Sequence, residues 1–113
     1  MRKTTRILVG FVLPALCGYA QNITGSMTGR VSDQQSAMIA NATVTVTDPA
    51  KNVTVTRKTS IGGDFSIAGL LPGNYTVMVE SPGFKKLTRT GIPLDANDKL
   101  DVGVLTLEVG ATT

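Results

Sequence analysis

With 113 residues, eleven Lys or Arg, eight Asp or Glu and no histidine, the chain has room for one small domain. It also lacks the commonest general base and zinc ligand. The formal charge of +3 misleads, because Arg2, Lys3 and Arg6 supply it. The remaining residues balance eight cations against eight anions, which removes the clustered positive field that nucleic-acid binding needs.

The first segment reads as a secretory leader. Basic Arg2, Lys3 and Arg6 are followed by an apolar run from Ile7 to Cys17 and a small-residue exit, Gly18-Tyr19-Ala20. Cleavage is expected between Ala20 and Gln21. Competing readings are an uncleaved anchor and lipidation at Cys17. The run is short for a membrane span and contains Pro14, and the bulky Leu16 sits poorly before a lipidated cysteine. Removal of residues 1–20 discards the only cysteine, takes the nucleophilic thiol with it and leaves no transmembrane span.

Beyond the leader the chain is a run of short strands. Gly25 to Val31 opens it. Ala42 to Thr47 alternates aliphatic with hydroxyl side chains, and Val53 to Thr56 repeats the pattern after an Asp48-Pro49-Ala50-Lys51-Asn52 turn. Ile61-Gly62-Gly63-Asp64 turns into a strand over Phe65 to Ala68, with Phe65 and Ile67 facing inward. Leu71-Pro72-Gly73-Asn74 is expected as a tight turn, Pro setting its first corner and Gly a positive φ at its second. Tyr75 to Glu80 alternates again, placing Tyr75, Val77 and Val79 on the core side. Ser81-Pro82-Gly83 leads into a strand over Phe84 to Thr90. The last strand passes through Leu100, Val102, Val104 and Leu107, where Leu105 falls on the wrong face unless a bulge intervenes at Gly103. Seven short strands at this spacing predict an all-β, seven-stranded Greek-key β-sandwich, with Phe65, Tyr75 and Phe84 as the largest pieces of its core.

Particular stretches resemble a known family. Gly29-Arg30-Val31-Ser32-Asp33 and Ile39-Ala40-Asn41-Ala42-Thr43-Val44 are similar to the opening of carboxypeptidase regulatory-like domains. Thr59 to Ile67 and Leu70 to Val77 are similar to that family's two most specific motifs, and Phe84 follows Gly83 where the family places an aromatic. The resemblance implies a transthyretin-like sandwich over residues 21–108, with residues 109–113 as an exit or truncated linker. One departure is Ser36-Ala37-Met38, where the family usually has Gly and Pro. That leaves the shape of the first connection open.

Modules of this family stand directly after the signal peptide in bacterial TonB-dependent outer-membrane receptors, ahead of plug and barrel. The resemblance therefore implies an exported, non-enzymatic module of the periplasm or outer membrane. Its partner would be an envelope protein or the receptor's own downstream plug and barrel. The chain would be a fragment of such a receptor or a stand-alone relative; a free secreted module binding carbohydrate or matrix protein is the alternative.

The residues offer little chemistry of their own. No catalytic, cofactor or metal-binding residue is expected. Asp95, Asn97, Asp98 and Asp101 read as a turn before the last strand rather than a calcium loop, since Lys99 interrupts them and the glycine of an EF-hand is missing. Arg57-Lys58 and Lys85-Lys86-Arg89 read as solvated edge charges rather than one patch. Sequons begin at Asn22, Asn41, Asn52 and Asn74, and they read as asparagines placed in turns before strands. Sugar binding lacks its usual aromatic platform, with no Trp in the chain.

Overall fold

A computed structural model describes residues 23–110. The expected leader and its Ala20–Gln21 junction lie outside the described residues, as do Asn22 and the last three residues of the expected exit. Seven strands fill most of the remainder: β1 (Gly25–Asp33), β2 (Thr43–Asp48), β3 (Val53–Lys58), β4 (Asp64–Leu70), β5 (Gly73–Glu80), β6 (Leu87–Leu94) and β7 (Lys99–Leu107). Among the described residues no helix is long and apolar enough to cross a membrane.

The strands form two sheets, β4-β1-β7 and β3-β2-β5-β6. Hairpins join β2 to β3 and β5 to β6; the other connections cross between sheets, giving a Greek-key sandwich. All pairings are antiparallel except that of the first and last strands, which run parallel.

Alternation of Val with Thr builds the four-stranded sheet. Ala42, Val44 and Val46 of the second segment, with Val77 and Val79 of β5, are all but fully buried. The threonines between the valines lie on the other, partly exposed face. Stiff β-branched side chains suit this pleated packing. The opposing sheet contributes Met27, Val31, Phe65, Ile67, Leu105 and Leu107. Burying an aromatic such as Phe65 contributes about 1.5–3 kcal/mol on area grounds.

Three expectations need correction, and a question left open in the last strand is answered. The Leu71–Asn74 segment is no tight turn but a crossing from β4 in one sheet to β5 in the other, and Gly73 does not adopt a positive φ. Its lack of a side chain serves close approach instead: a Cβ there would collide with Asp48 Oδ2. Phe84 is half-buried against the core rather than in it, and pairs as an isolated bridge with Val109. The sixth strand starts at Leu87 and runs to Leu94, beyond Gly91 and Pro93, whose types conceal a strand. In the last strand Val104 is 55% exposed while Leu105 is buried, so the bulge at Gly103 is present and puts Leu105 on the inward face.

The first connection keeps a glycine-like shape without glycine. Ser36 has φ 69°, and the Asp33 carboxylate accepts the N–H groups of Gln35 (2.8 Å) and Ala37 (2.9 Å). A buried hydroxyl then ties this connection to the far end of β3. Thr59 Oγ1 accepts the Ala42 N–H and donates to the Ile39 carbonyl.

Candidate interaction surface

Among the described residues, two of the concave regions and four strand edges are candidates for contact. On the outer face of β4-β1-β7 lies a groove of about 660 Å³. Arg30 of the central strand stands in it, donating from Nε to Asp64 Oδ1 at 2.7 Å, with Thr28, Ser66 and Asp101 alongside. The Asp64 hydrogen bond and charge raise the Arg30 pKa further, and Asp101 adds to this. The groove thus sets one cation beside two carboxylates. Phe65 lies beneath it, 3% exposed, and gives no open ring on which a sugar could stack.

The second region is a cleft of about 370 Å³ where β6, including Arg89 and Thr90, faces β7 across the open side of the sandwich. It is lined by Val77, Ile92, Leu100, Val102 and Leu105.

A buried cluster closes one end of the molecule. Asp48 is 2% exposed; its Oδ1 accepts the Ala50 N–H, while Oδ2 accepts no hydrogen bond and faces Lys51 Nζ at 3.8 Å. The same ammonium donates to the Pro72 carbonyl at 2.6 Å, so Lys51 spans the β2–β3 hairpin and the inter-sheet crossing. Tyr75 donates its phenol hydrogen to the Leu71 carbonyl. Burial, then the negative charge of Asp48, raises the Tyr75 pKa. The neutral phenol is therefore the form this corner holds, and the cluster acts as a structural clamp.

The edges differ from one another. β4 and β7 border one sheet, β3 and β6 the other. The register of β4 on β1 shifts between Ile67 and Leu70, that of β7 on β1 between Asp101 and Val104, and that of β6 on β5 between Arg89 and Ile92. Each shift inserts one extra residue into the edge strand and contains a glycine at positive φ: Gly69 (74°), Gly103 (82°) and Gly91 (68°). β3 has no such interruption. Its six residues pair with β2 in unbroken register, from Thr43↔Lys58 to Asp48↔Val53.

The features singled out in the sequence are dispersed rather than gathered. Arg57 and Lys58 lie on β3 and Arg89 on β6, at opposite borders of the four-stranded sheet, roughly 14 Å apart at ordinary strand spacing. Lys85 and Lys86 are paired with Glu108 (3.7 Å) and Glu80 (3.7 Å). No single basic patch forms among the described residues. The Asp95–Asp98 segment makes a turn in which Asp98 Oδ2 accepts the Asp95 N–H, and Asn97 has φ 64°. Asn41 (60°) and Asn52 (58°) also hold left-handed turn positions. Of the edge bulges, sequence reasoning finds only that at Gly103. A glycine interrupting alternation is the available signal at Gly69 and Gly91.

The carboxypeptidase regulatory-like domain family matches residues 26–108. This chain belongs to that family. A curated relative, the TonB-dependent transporter Oar of Myxococcus xanthus, is 32% identical over 105 residues. That alignment covers 92% of this chain but 10% of the transporter, so the chain spans about a tenth of that relative's length. Among solved structures, the Bacillus anthracis TIE protein superposes with TM-score 0.64 at 17% identity, covering 76% of this chain and 16% of that one. Hydroxyquinol 1,2-dioxygenase from Pseudomonas putida DLL-E4 superposes with TM-score 0.61 at 13% identity, covering 80% and 58%. At such identities the likeness carries the sandwich fold alone.

Proposed function

We propose that this carboxypeptidase regulatory-like domain is the exported, non-enzymatic module of a TonB-dependent outer-membrane transporter, acting by protein–protein contact and by spacing. The observation that carries the reading is the 32% identity to a TonB-dependent transporter across nearly the whole chain. The leader-like residues 1–20 support delivery across the inner membrane, with Ala20 and Gln21 flanking the proposed cleavage. The absence of histidine from the sequence, and of cysteine after position 17, supports a role without catalysis. Carbohydrate binding finds less support, because Phe65 and Tyr75 are buried and Phe84 is half-buried.

Expression of the full chain in a Gram-negative host tests this. The mature protein is expected in the periplasm or envelope fraction with an N-terminal residue of Gln21 by mass spectrometry. Photocrosslinkers placed at exposed strand positions are expected to capture envelope proteins. An intact precursor in the cytosol, or a complete lack of envelope crosslinks, rejects the reading.

A further inference from the structure

We propose that the free edge of β3 is a strand-addition site whose occupant is an extended, acidic segment of another protein, running antiparallel to β3. This rests on the reading of the domain as an interaction module, and names where and with what it interacts.

The other three edges are closed. An exposed strand edge is a template for pairing, and proteins disable it with bulges, prolines and charges. β4, β6 and β7 each carry an inserted residue with a left-handed glycine at the bulge, and β6 also contains Pro93, which has no N–H to donate. An incoming strand would lose register on any of them. β3 alone has neither Gly nor Pro and keeps one register throughout, so alternate residues direct N–H and C=O groups outward in a regular row, although the Thr56 carbonyl accepts a hydrogen bond from Arg57 Nη1 (2.9 Å) that an incoming strand would displace. Five of its six residues are exposed.

Side chains continue the template. Val53 and Val55 stand opposite Asp48 and Val46, whose side chains are buried, so they lie on the inward side of the sheet. Val53 is 39% exposed, and Val55 packs half-buried against the core. Thr54 and Thr56 line the outer side. A strand laid beside β3 would cover the two valines with its own inward-facing side chains and leave polar residues outward. This is recognition by sheet extension, with main-chain bonds supplying affinity and alternate side chains specificity.

Charge chooses the occupant. Arg30, Lys51, Lys85 and Lys86 are in ion pairs, whereas Arg57, Lys58, Arg89 and Lys99 belong to none among the described residues; β3 holds two of these four side by side, β6 and β7 one each. β3 carries no acidic residue. A second copy of this chain pairing through β3 would offer its cations no carboxylate, since the strand has none. An acidic segment meets the two cations directly. Run antiparallel, it places its first residues opposite Arg57 and Lys58.

The test uses the full chain and a capped synthetic heptapeptide, Asp-Glu-Thr-Val-Thr-Val-Thr, with a version headed by Lys-Lys and one N-methylated at alternate amides. Hydrogen exchange by NMR is expected to slow at least tenfold at alternate amides of β3, and nowhere on β4, β6 or β7. The Lys-headed and N-methylated peptides are each expected to bind at least tenfold more weakly. The double variant Arg57→Glu/Lys58→Glu is expected to melt as the wild type does and to lose the same tenfold. Absence of peptide binding, binding indifferent to charge, or protection on another edge overturns the proposal. So does self-association when Arg57 and Lys58 are replaced by Thr, since the cations would then only guard the edge. If envelope crosslinks form from other edges, the β3 assignment falls alone; if none form at all, the envelope reading falls with it.

Discussion

The two central strands, β2 and β1, solve the same packing problem by different means. β2 pairs on both sides in unbroken register, and its valines point inward without exception. β1 meets a register shift on each side. Its core side includes Gly29, where a Cβ would stand 2.6 Å from the Phe65 ring and 2.7 Å from Val102. One sheet is built by repeating a medium-sized side chain, the other by setting a large ring over a bare backbone. The first tolerates change along its length; the second concentrates its dependence in a few positions.

The largest test of that difference is Phe65→Ala, expected to cost about 3–5 kcal/mol in a urea melt, much of a small domain's stability. A loss below about 1 kcal/mol would remove Phe65 from its place in the core. Next is Gly29→Ala, expected to cost about 1–3 kcal/mol by overpacking. In the Phe65→Ala background the same change is expected to cost less, since the clash with the ring is gone and only that with Val102 remains. Additive losses in that double-mutant cycle would disprove the ring-on-glycine contact. The β2 counterpart, Thr45→Ala on the outer face, is expected to stay within about 0.5 kcal/mol.

The bulge and turn positions sharpen the contrast further. At Gly103 an added Cβ meets nothing within 4 Å, so Gly103→Ala isolates the strain of its φ of 82°, about 1–2 kcal/mol. Ser36→Gly relieves the same kind of strain and is expected to gain about 1 kcal/mol in thermal or urea melts. A destabilised Ser36→Gly would contradict the left-handed turn.

The smallest effect is alkaline. Because the folded-state pKa of Tyr75 is raised above the ordinary 10.0 of a free phenol, the contribution is fully present below pH 10. It is lost as pH climbs through the raised value, the unfolded chain releasing its proton first. Melts of wild type and Tyr75→Phe across roughly pH 8 to 12 are expected to show a steeper alkaline decline in the wild type. Parallel curves would dissociate Tyr75 from that decline.

Legibility in the sequence follows the same divide. The faces of β2 and β5 could be read because Val44, Val46, Val77 and Val79 repeat every second residue with nothing to break parity. β7 could be read only up to Gly103, where one inserted residue moves the buried set from Leu100 and Val102 to Leu105 and Leu107. Gly91 and Pro93 hid the second half of β6, because residue types that disfavour strands are tolerated where one side is unpaired. Gly73 was legible as indispensable, but for the wrong cause, since the buried Asp48 that approaches it lies 25 positions earlier. The uneven edges emerge only from pairing partners far apart in the chain. The family motifs made the sandwich recognisable, but they hold no information about which border stays open.

The parallel union of β1 with β7 has a mechanical consequence. Polypeptide attached before Gly25 and polypeptide attached after Leu107 leave from opposite poles, about 26 Å apart at ordinary strand rise. Tension drawn between those poles loads the rungs between the two strands together, as in a lap joint, instead of parting them one after another like a zip.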